Sequence, residues 1–303
     1  MAKLKNPLLS FGSHGTIGEA ITFQSNKGLD VVRKKPEPRD PQTWPQIYHR
    51  WDYQDYLAWW ATLSIAEKQV YKSAGAREHN TGVGNFLKPR LTTLPDLIVR
   101  YHMDEQSGTD VYDSSKNGIT ATRVGCTPTP GFYRNGLYFI TDDYVLGTNN
   151  PLLDFTTGDF TIMAWIFPTS ITGVHEVFIR GAANNQGYMF RTRDTRLEFI
   201  TAQIAAQQIS RSGVGAIALN AWQHIAVTRE GTIALFYVNG IDATGLVNPH
   251  LDPRTSAKTF KIGIYDDLLG NAFSGKIDEL TVRNRVLTPV EVLHHAERRA
   301  PIQ

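Results

Sequence analysis

The sequence predicts a mainly β fold: a two-sheet antiparallel jelly-roll sandwich over the C-terminal two thirds, preceded by a small α+β module of a hairpin and helices. Three observations carry this. GDFTIMAWIFP (residues 158–168) is apolar on both alternating sets, Phe160, Ile162, Ala164 and Ile166 on one and Met163, Trp165 and Phe167 on the other. It therefore reads as a central strand covered on both faces. AWQHIAVTREG (221–231) is followed by IALFYVNGIDA (233–243), where Asn239-Gly240 is the strongest short hairpin signal. From Leu97 onward, short β-type runs alternate with turns, and no helical pattern of length returns before Thr288-Pro289-Val290-Glu291.

At 303 residues the chain is long enough for two domains, since single cores stop growing near roughly 250–300 residues. We place the boundary at 95/96. The net charge of +2 hides an asymmetry: residues 1–95 carry 13 basic and 8 acidic side chains, the remainder 18 and 21. A surplus of that size permits an acidic partner without requiring one, and it falls short of the basic density of nucleic-acid binders. Cys126 is the only cysteine, which excludes an intrachain disulfide and a cysteine-built zinc site and leaves a small apolar filler. The sequence shows no signal-peptide pattern, no apolar run of membrane-spanning length and no N-x-S/T sequon, so it reads as made in a cytoplasm.

In the N-terminal third, runs 20–23 and 29–32 flank Ser25-Asn26-Lys27-Gly28, a hairpin. KKPEPRDPQTWP (34–45) has four prolines in twelve positions and is expected to run extended, either as an arm across a neighbouring subunit or as a linker. Tyr53, Tyr56, Leu57, Trp60 and Leu63 fall at helical spacing, and Ser64-x-x-Glu67 is a capping box that starts a second helix. Trp44, Trp51, Trp59 and Trp60 crowd into this section, more indole than a module this small buries, so we assign them to assembly with another chain. Residues 91–96 are the linker.

The corner from Trp60 through Ser64, Glu67 and Tyr71 is similar to that of an HMG box, a DNA-binding module. The GTIG hairpin, VVRKKP, the proline-rich arm and the Trp-rich helix with LSIAEK, over residues 12–90, resemble a module of uncharacterised phage and prophage structural proteins. That resemblance implies a virion role. DEQSGT with DSSKNG, GDFTIMAWIFP, WQHIAVTREG with YVNG, and FSGKIDELTVRNRVLTPVEV resemble, in order, the marks of the laminin-G-like, concanavalin-A-like sandwich over residues 97–296.

The laminin-G-like resemblance implies a structural calcium ion held by Asp104 and Asp278, with Asp113 a third candidate; calcium takes six to eight oxygens. It also implies glycan or protein binding by loops at a sandwich edge, for which Tyr188, Tyr265, Asp266, Asp267 and Asn271 are the candidates. The Asp266–Asp267 pair is a second place for an ion or ligand. Retaining glycosidases on this fold carry E-x-D-x-E on one strand; here the strand reads Lys276-Ile277-Asp278-Glu279-Leu280. No G-x-S-x-G, H-E-x-x-H or P-loop occurs, and His294 and His295, being adjacent, do not share a helix face. The chain is expected to be no enzyme. The expectation is a phage virion protein, capsid decoration or tail-associated, that attaches through its N-terminal module, self-associates, and displays the sandwich to a cell-surface glycan or stabilises the particle. It would be extracellular after release. A free-standing adhesin and a DNA binder acting through the helices are the alternatives.

Overall fold

The computed structural model describes residues 15–17, 21–26, 29–34, 43–77, 80–268 and 270–298. By internal contacts the chain forms two compact units, 1–46 and 47–303. The first contains a three-stranded antiparallel sheet, β1 (Gly15–Ile17), β2 (Ile21–Asn26) and β3 (Leu29–Lys34), in that order. Asn26 pairs with Leu29, the register of a two-residue hairpin. The proline-rich arm lies mostly outside the described residues.

Helix α1 (Trp44–Thr62) runs into the second unit and is followed by α2 (Ile65–Arg77) and α3 (Gly82–Thr93). The capping box forms as expected: Ser64 N–H donates to Glu67 Oε2 (2.8 Å) and Glu67 N–H to Ser64 Oγ (3.3 Å). The division by contacts falls at 46/47, inside the stretch 1–95 read from the sequence as the N-terminal module. Helices α1–α3 belong to the same compact unit as the sandwich, because α1 carries buried acids that pair with arginines of the sheet.

The strands of the sandwich are β4 (Leu97–Tyr101), β5 (Asp110–Val111), β6 (Ala121–Val124), β7 (Thr127–Pro130), β8 (Asn135–Phe139), β9 (Tyr144–Leu146), β10 (Phe160–Pro168), β11 (Val174–Ala182), β12 (Gln186–Arg193), β13 (Arg196–Gln203), β14 (Ala206–Ser212), β15 (Gln223–Glu230), β16 (Ile233–Val238), β17 (Ile241–Asp242), β18 (Thr244–Leu246), β19 (Phe260–Ile262) and β20 (Gly275–Arg283), with helix α4 (Pro289–Ala296) after them. They form two antiparallel sheets. One has eight strands, in the order β17-β16-β15-β10-β20-β8-β7 with β4 also on β20; the other has nine, β18-β14-β13-β12-β11-β19-β9-β6-β5.

Alternation decides the core. Phe160, Ile162, Ala164 and Ile166 of β10 face Phe178 of β11, Tyr188 and Phe190 of β12, and Leu197 and Phe199 of β13 in one continuous apolar cluster between the sheets. Each Ile, Leu or Phe among them contributes roughly 1.5–3 kcal/mol on burial. Strand β10 is covered on both faces, since Met163 and Trp165 on its other side are also buried. The Asn239-Gly240 turn has φ of 51° and 78° at the two positions and joins Val238 to Ile241, the left-handed pair a two-residue hairpin requires. A Cβ at Gly240 would come within 2.7 Å of the Leu293 backbone, so α4 packs directly on this turn.

Candidate functional site

The outer faces of the two sheets differ in kind. On the eight-stranded sheet, helices α1 and α4 are tied down by buried ion pairs. Asp52 accepts from Arg100 Nη2 (2.5 Å), and Asp55 accepts from Arg283 Nη2 (2.9 Å) and Arg298 Nη2 (2.6 Å), with His295 Nε2 at 3.1 Å. Asp96 takes Arg283 Nη1 (2.7 Å), Arg285 Nε (2.8 Å) and the Tyr56 hydroxyl (2.6 Å). Burial alone would raise both carboxyls, yet their arginine partners hold Asp55 and Asp96 well below the ordinary range. Trp51 is buried in this interface and packs on Tyr133 (centroids 4.9 Å apart). Trp59 and Trp60 pack on Phe86, and Trp44 is half-buried at the start of α1. Trp51, Trp59 and Trp60 thus pack within the chain, and Trp59 and Trp60 remain partly exposed. A groove of about 610 Å³ lined by Trp51, Leu57, His294 and Arg298 lies between α1 and α4.

Strand β20 breaks its pairing at Asp278 and Glu279: β8 pairs with its first part and β4 with its second. Glu279 has φ of 51° at this irregularity. Here the predicted metal residues sort themselves. Asp278 Oδ2 accepts from the amides of Phe132 (2.7 Å) and Tyr133 (3.3 Å), while Oδ1 is buried without a partner. Burial, then the neighbouring Glu279, pushes its carboxyl well up. Asp104 is held by Arg134 Nη1 (2.7 Å) and the Asn135 amide (3.1 Å). Glu279 accepts from or bonds to His102 Nδ1 (2.9 Å), whose ring stacks on Tyr48 at 3.8 Å. Asp113 stands apart. It accepts from the amides of Arg100, Ser115 and Ile119 and from Ser115 Oγ, so it fixes the turn after β4 and has no capacity left for an ion. Among the described residues no three His, Cys, Asp or Glu side chains are placed to hold a metal ion. One open carboxylate oxygen, beside an acid already paired with an arginine, does not fit the six to eight oxygens of calcium.

The outer face of the nine-stranded sheet is organised in rows set by register. Ile179, Met189, Ile200 and Ile209 pair in turn across β11–β14 as an apolar row, on which Tyr265 packs. Two residues along, or three on β11 where a bulge intervenes, Glu176, Arg191, Glu198 and Arg211 pair in turn as a charged row. Arg191 donates to Glu176 Oε1 (3.1 Å) and Glu198 Oε1 (2.5 Å); Arg193 and Arg211 add Nε bonds to Glu198 Oε2 at 3.1 and 2.6 Å. Burial would raise Glu198, but Arg191 and its neighbours keep it below the ordinary value. Glu176 has one arginine only, and burial pushes it up to about 7. Its Oε2 is buried without a partner.

The predicted ligand residues fall on and around this face, with one exception. Tyr188 points the other way, into the core beside Phe155 and Phe160; it is 1% exposed and its hydroxyl donates to the Leu153 carbonyl (2.9 Å). It is closed to a ligand, and its shared strand face with Phe190 is the signal that could have shown this. The Tyr265 hydroxyl accepts from the Ala183 amide (3.0 Å). Asp266 is paired with Lys258 and Lys261, so its charge is neutralised; Asp267 is exposed. The Asn271 carbonyl accepts from the Glu176 amide (2.9 Å), which fastens the loop that carries Tyr265 to the charged row. The sequence reading missed Glu176, Arg191, Arg193, Glu198 and Arg211, because only strand register brings them together.

The fold is found in proteins of remote sequence. The binding domain of Paraclostridial Mosquitocidal Protein 1 superposes with a TM-score of 0.54 at 16% identity, over 66% of this chain and 52% of that one. The botulinum neurotoxin serotype G binding domain gives 0.54 at 14%, over 66% and 50%. Domain 4 of AbnA, an extracellular arabinanase from Geobacillus stearothermophilus solved with arabinotriose, gives 0.53 at 18%, over 67% and 98%. The chain thus spans about half the length of the first two. No curated protein matches it. With two antiparallel sheets packed as a sandwich, and with the Laminin_G_3 family model, described as the concanavalin A-like lectin/glucanases superfamily, matching residues 139–293, just over half of its length, the chain belongs to that superfamily.

Proposed function

We propose that the chain is a non-catalytic carbohydrate-binding protein that receives its ligand on the outer face of the nine-stranded sheet. The observation that carries this reading is the contrast between the outer faces. One is occupied by helices and buried ion pairs. The other sets a charged row, with Arg193 and Arg211 half-exposed, beside an apolar row that is buried at Ile179, Met189 and Ile200 and partly exposed at Ile209 and Tyr265. A saccharide has the same two-sided chemistry, with hydroxyls to hydrogen-bond and a C–H face to pack on an aromatic ring. The similar arabinanase domain was solved with arabinotriose, and the similar toxin domains are described as binding domains, which supports the choice of ligand class. An oligosaccharide array probed with the full chain is expected to give hits that weaken at least tenfold in Tyr265→Ala. An array without hits overturns the reading.

We further propose that this binding surface is carried on a phage virion, to which residues 1–46 attach and on which copies of the chain assemble. The separation of that stretch from the compact 47–303 unit supports this division of labour. Imaging of particles made with and without the chain is expected to show density present only with it, with the sandwich outermost. Particles that never carry the chain would favour a free-standing adhesin.

A further inference from the structure

Resting on the carbohydrate-binding reading, we infer that the ligand is an acidic saccharide whose anionic group is held by Arg193 and Arg211. Three arginines and two glutamates make up the charged cluster, so it carries more positive than negative side chains. They are not equivalent. Arg191 is 7% exposed and uses Nε, Nη1 and Nη2 on Glu176 and Glu198, so each of its nitrogens is bonded to a carboxylate inside the sheet. Arg193 and Arg211 bond to Glu198 through Nε only, and their side chains are 38% and 30% exposed.

The geometry brings these two together. Arg193 lies on β12 and Arg211 on β14, on either side of Glu198 on β13, and both Nε atoms end on the same oxygen, Glu198 Oε2, at 3.1 and 2.6 Å. One carboxylate thus pins two guanidiniums side by side while their terminal nitrogens are left for a ligand. A guanidinium edge matches a carboxylate or sulfate with two parallel N–H donors, which an ammonium cannot do. Two adjacent cations sharing one anion also repel each other, and a second anion relieves that repulsion, whereas a neutral hydroxyl does not. Arg211 stands two residues from Ile209, the partly exposed end of the apolar row, so a sugar ring bonded there by its acid group can lie along Ile209. Uronic and sialic acids supply a carboxylate and sulfated sugars a sulfate; the chemistry is shared.

The test uses the full chain and isothermal titration with 3′-sialyllactose, trigalacturonate and a chondroitin sulfate tetrasaccharide against lactose and cellotriose. Binding of at least one acidic sugar, with the neutral ones at least tenfold weaker, is expected, and which acidic sugar binds separates carboxylate from sulfate. The double variant Arg193→Gln/Arg211→Gln should lower that affinity at least tenfold. Arg193→Lys/Arg211→Lys keeps the charge and loses the fork, and should fall between it and the parent; thermal melts of both variants establish that they are folded. Neutral sugars bound as well as acidic ones, or acidic binding unmoved in both folded variants, overturns this inference and leaves the carbohydrate reading standing. Absence of binding to every sugar here, together with an empty array, overturns both.

Discussion

Asp55 shows how one side chain decides where a helix sits. It is 1% exposed, a position in which an isolated carboxylate is prohibitively costly unless paired and hydrogen-bonded. Arg283, Arg298 and His295 surround it, from β20, the end of α4 and α4 itself. Replacing it by alanine removes the anion and leaves the half-buried Arg298 without its carboxylate, while Arg283 keeps only Asp96. Asp55→Ala is therefore expected to lose about 3–5 kcal/mol of stability, the range for breaking a buried pair from one side. The half-exposed Arg134 of the Arg134–Asp104 pair is the control: Arg134→Ala should cost less than about 1 kcal/mol. Urea unfolding followed by circular dichroism measures both. Equal effects in the two variants would mean that burial of the Asp55 cluster does not set its energetics.

At the scale of elements, what was legible was whatever is written locally. The doubly apolar run of β10, the Asn239-Gly240 turn, and the Thr288 cap with Glu291 reaching back at 2.8 Å each depend on residues a few positions apart, and each formed where the sequence put it. The pairing of β4 with β20 was legible through the order of motifs. The placement of α1 was not. Asp52 and Asp55 are three residues apart on a helix that also carries Trp51 and Tyr56, and such a stripe of acids and aromatics reads equally well as a solvated face; only the arginines of β4 and β20, far along the chain, make it an inward one. The candidate site was half legible for the same reason. Tyr265, Asp267 and Asn271 lie in one loop and were found together, whereas the row Glu176, Arg191, Glu198 and Arg211 exists only in the register of four strands. No short-range pattern marks a charge as buried when its partner arrives from the neighbouring strand.

For the whole molecule, buried titratable groups of opposite tendency set how stability responds to acid. His224 and His250 are buried, and burial lowers them to about 3 and about 4; His295, buried beside Arg298, is held well below its ordinary value. All three are neutral in the fold, but in the unfolded chain they take up protons below about pH 6.5. Their depressed values therefore cost stability as pH falls through the window from about 6.5 to about 4. Glu176, pushed up to about 7, and Asp278, pushed well up, act in the reverse sense. Near pH 5.5 to 6 the fold holds a proton on Glu176 that the unfolded chain has released, so acidification favours the fold through this group, and Asp278 acts in the same direction. Asp55, Asp96 and Glu198, held low by arginines, enter only below roughly pH 4.5. Near pH 5.5 the three histidines of the unfolded chain have taken up most of three protons, which Glu176 offsets in the fold by about one. Glu176→Gln removes that proton from the folded side only. Between pH 6.5 and 5 its stability should therefore fall more steeply than the parent's, by roughly 1.2 kcal/mol per pH unit. Urea midpoints at half-unit intervals across that range, with slopes compared between parent and variant, check this; parallel slopes would mean that Glu176 is ionised in the fold and that Arg191 neutralises it as fully as it does Glu198.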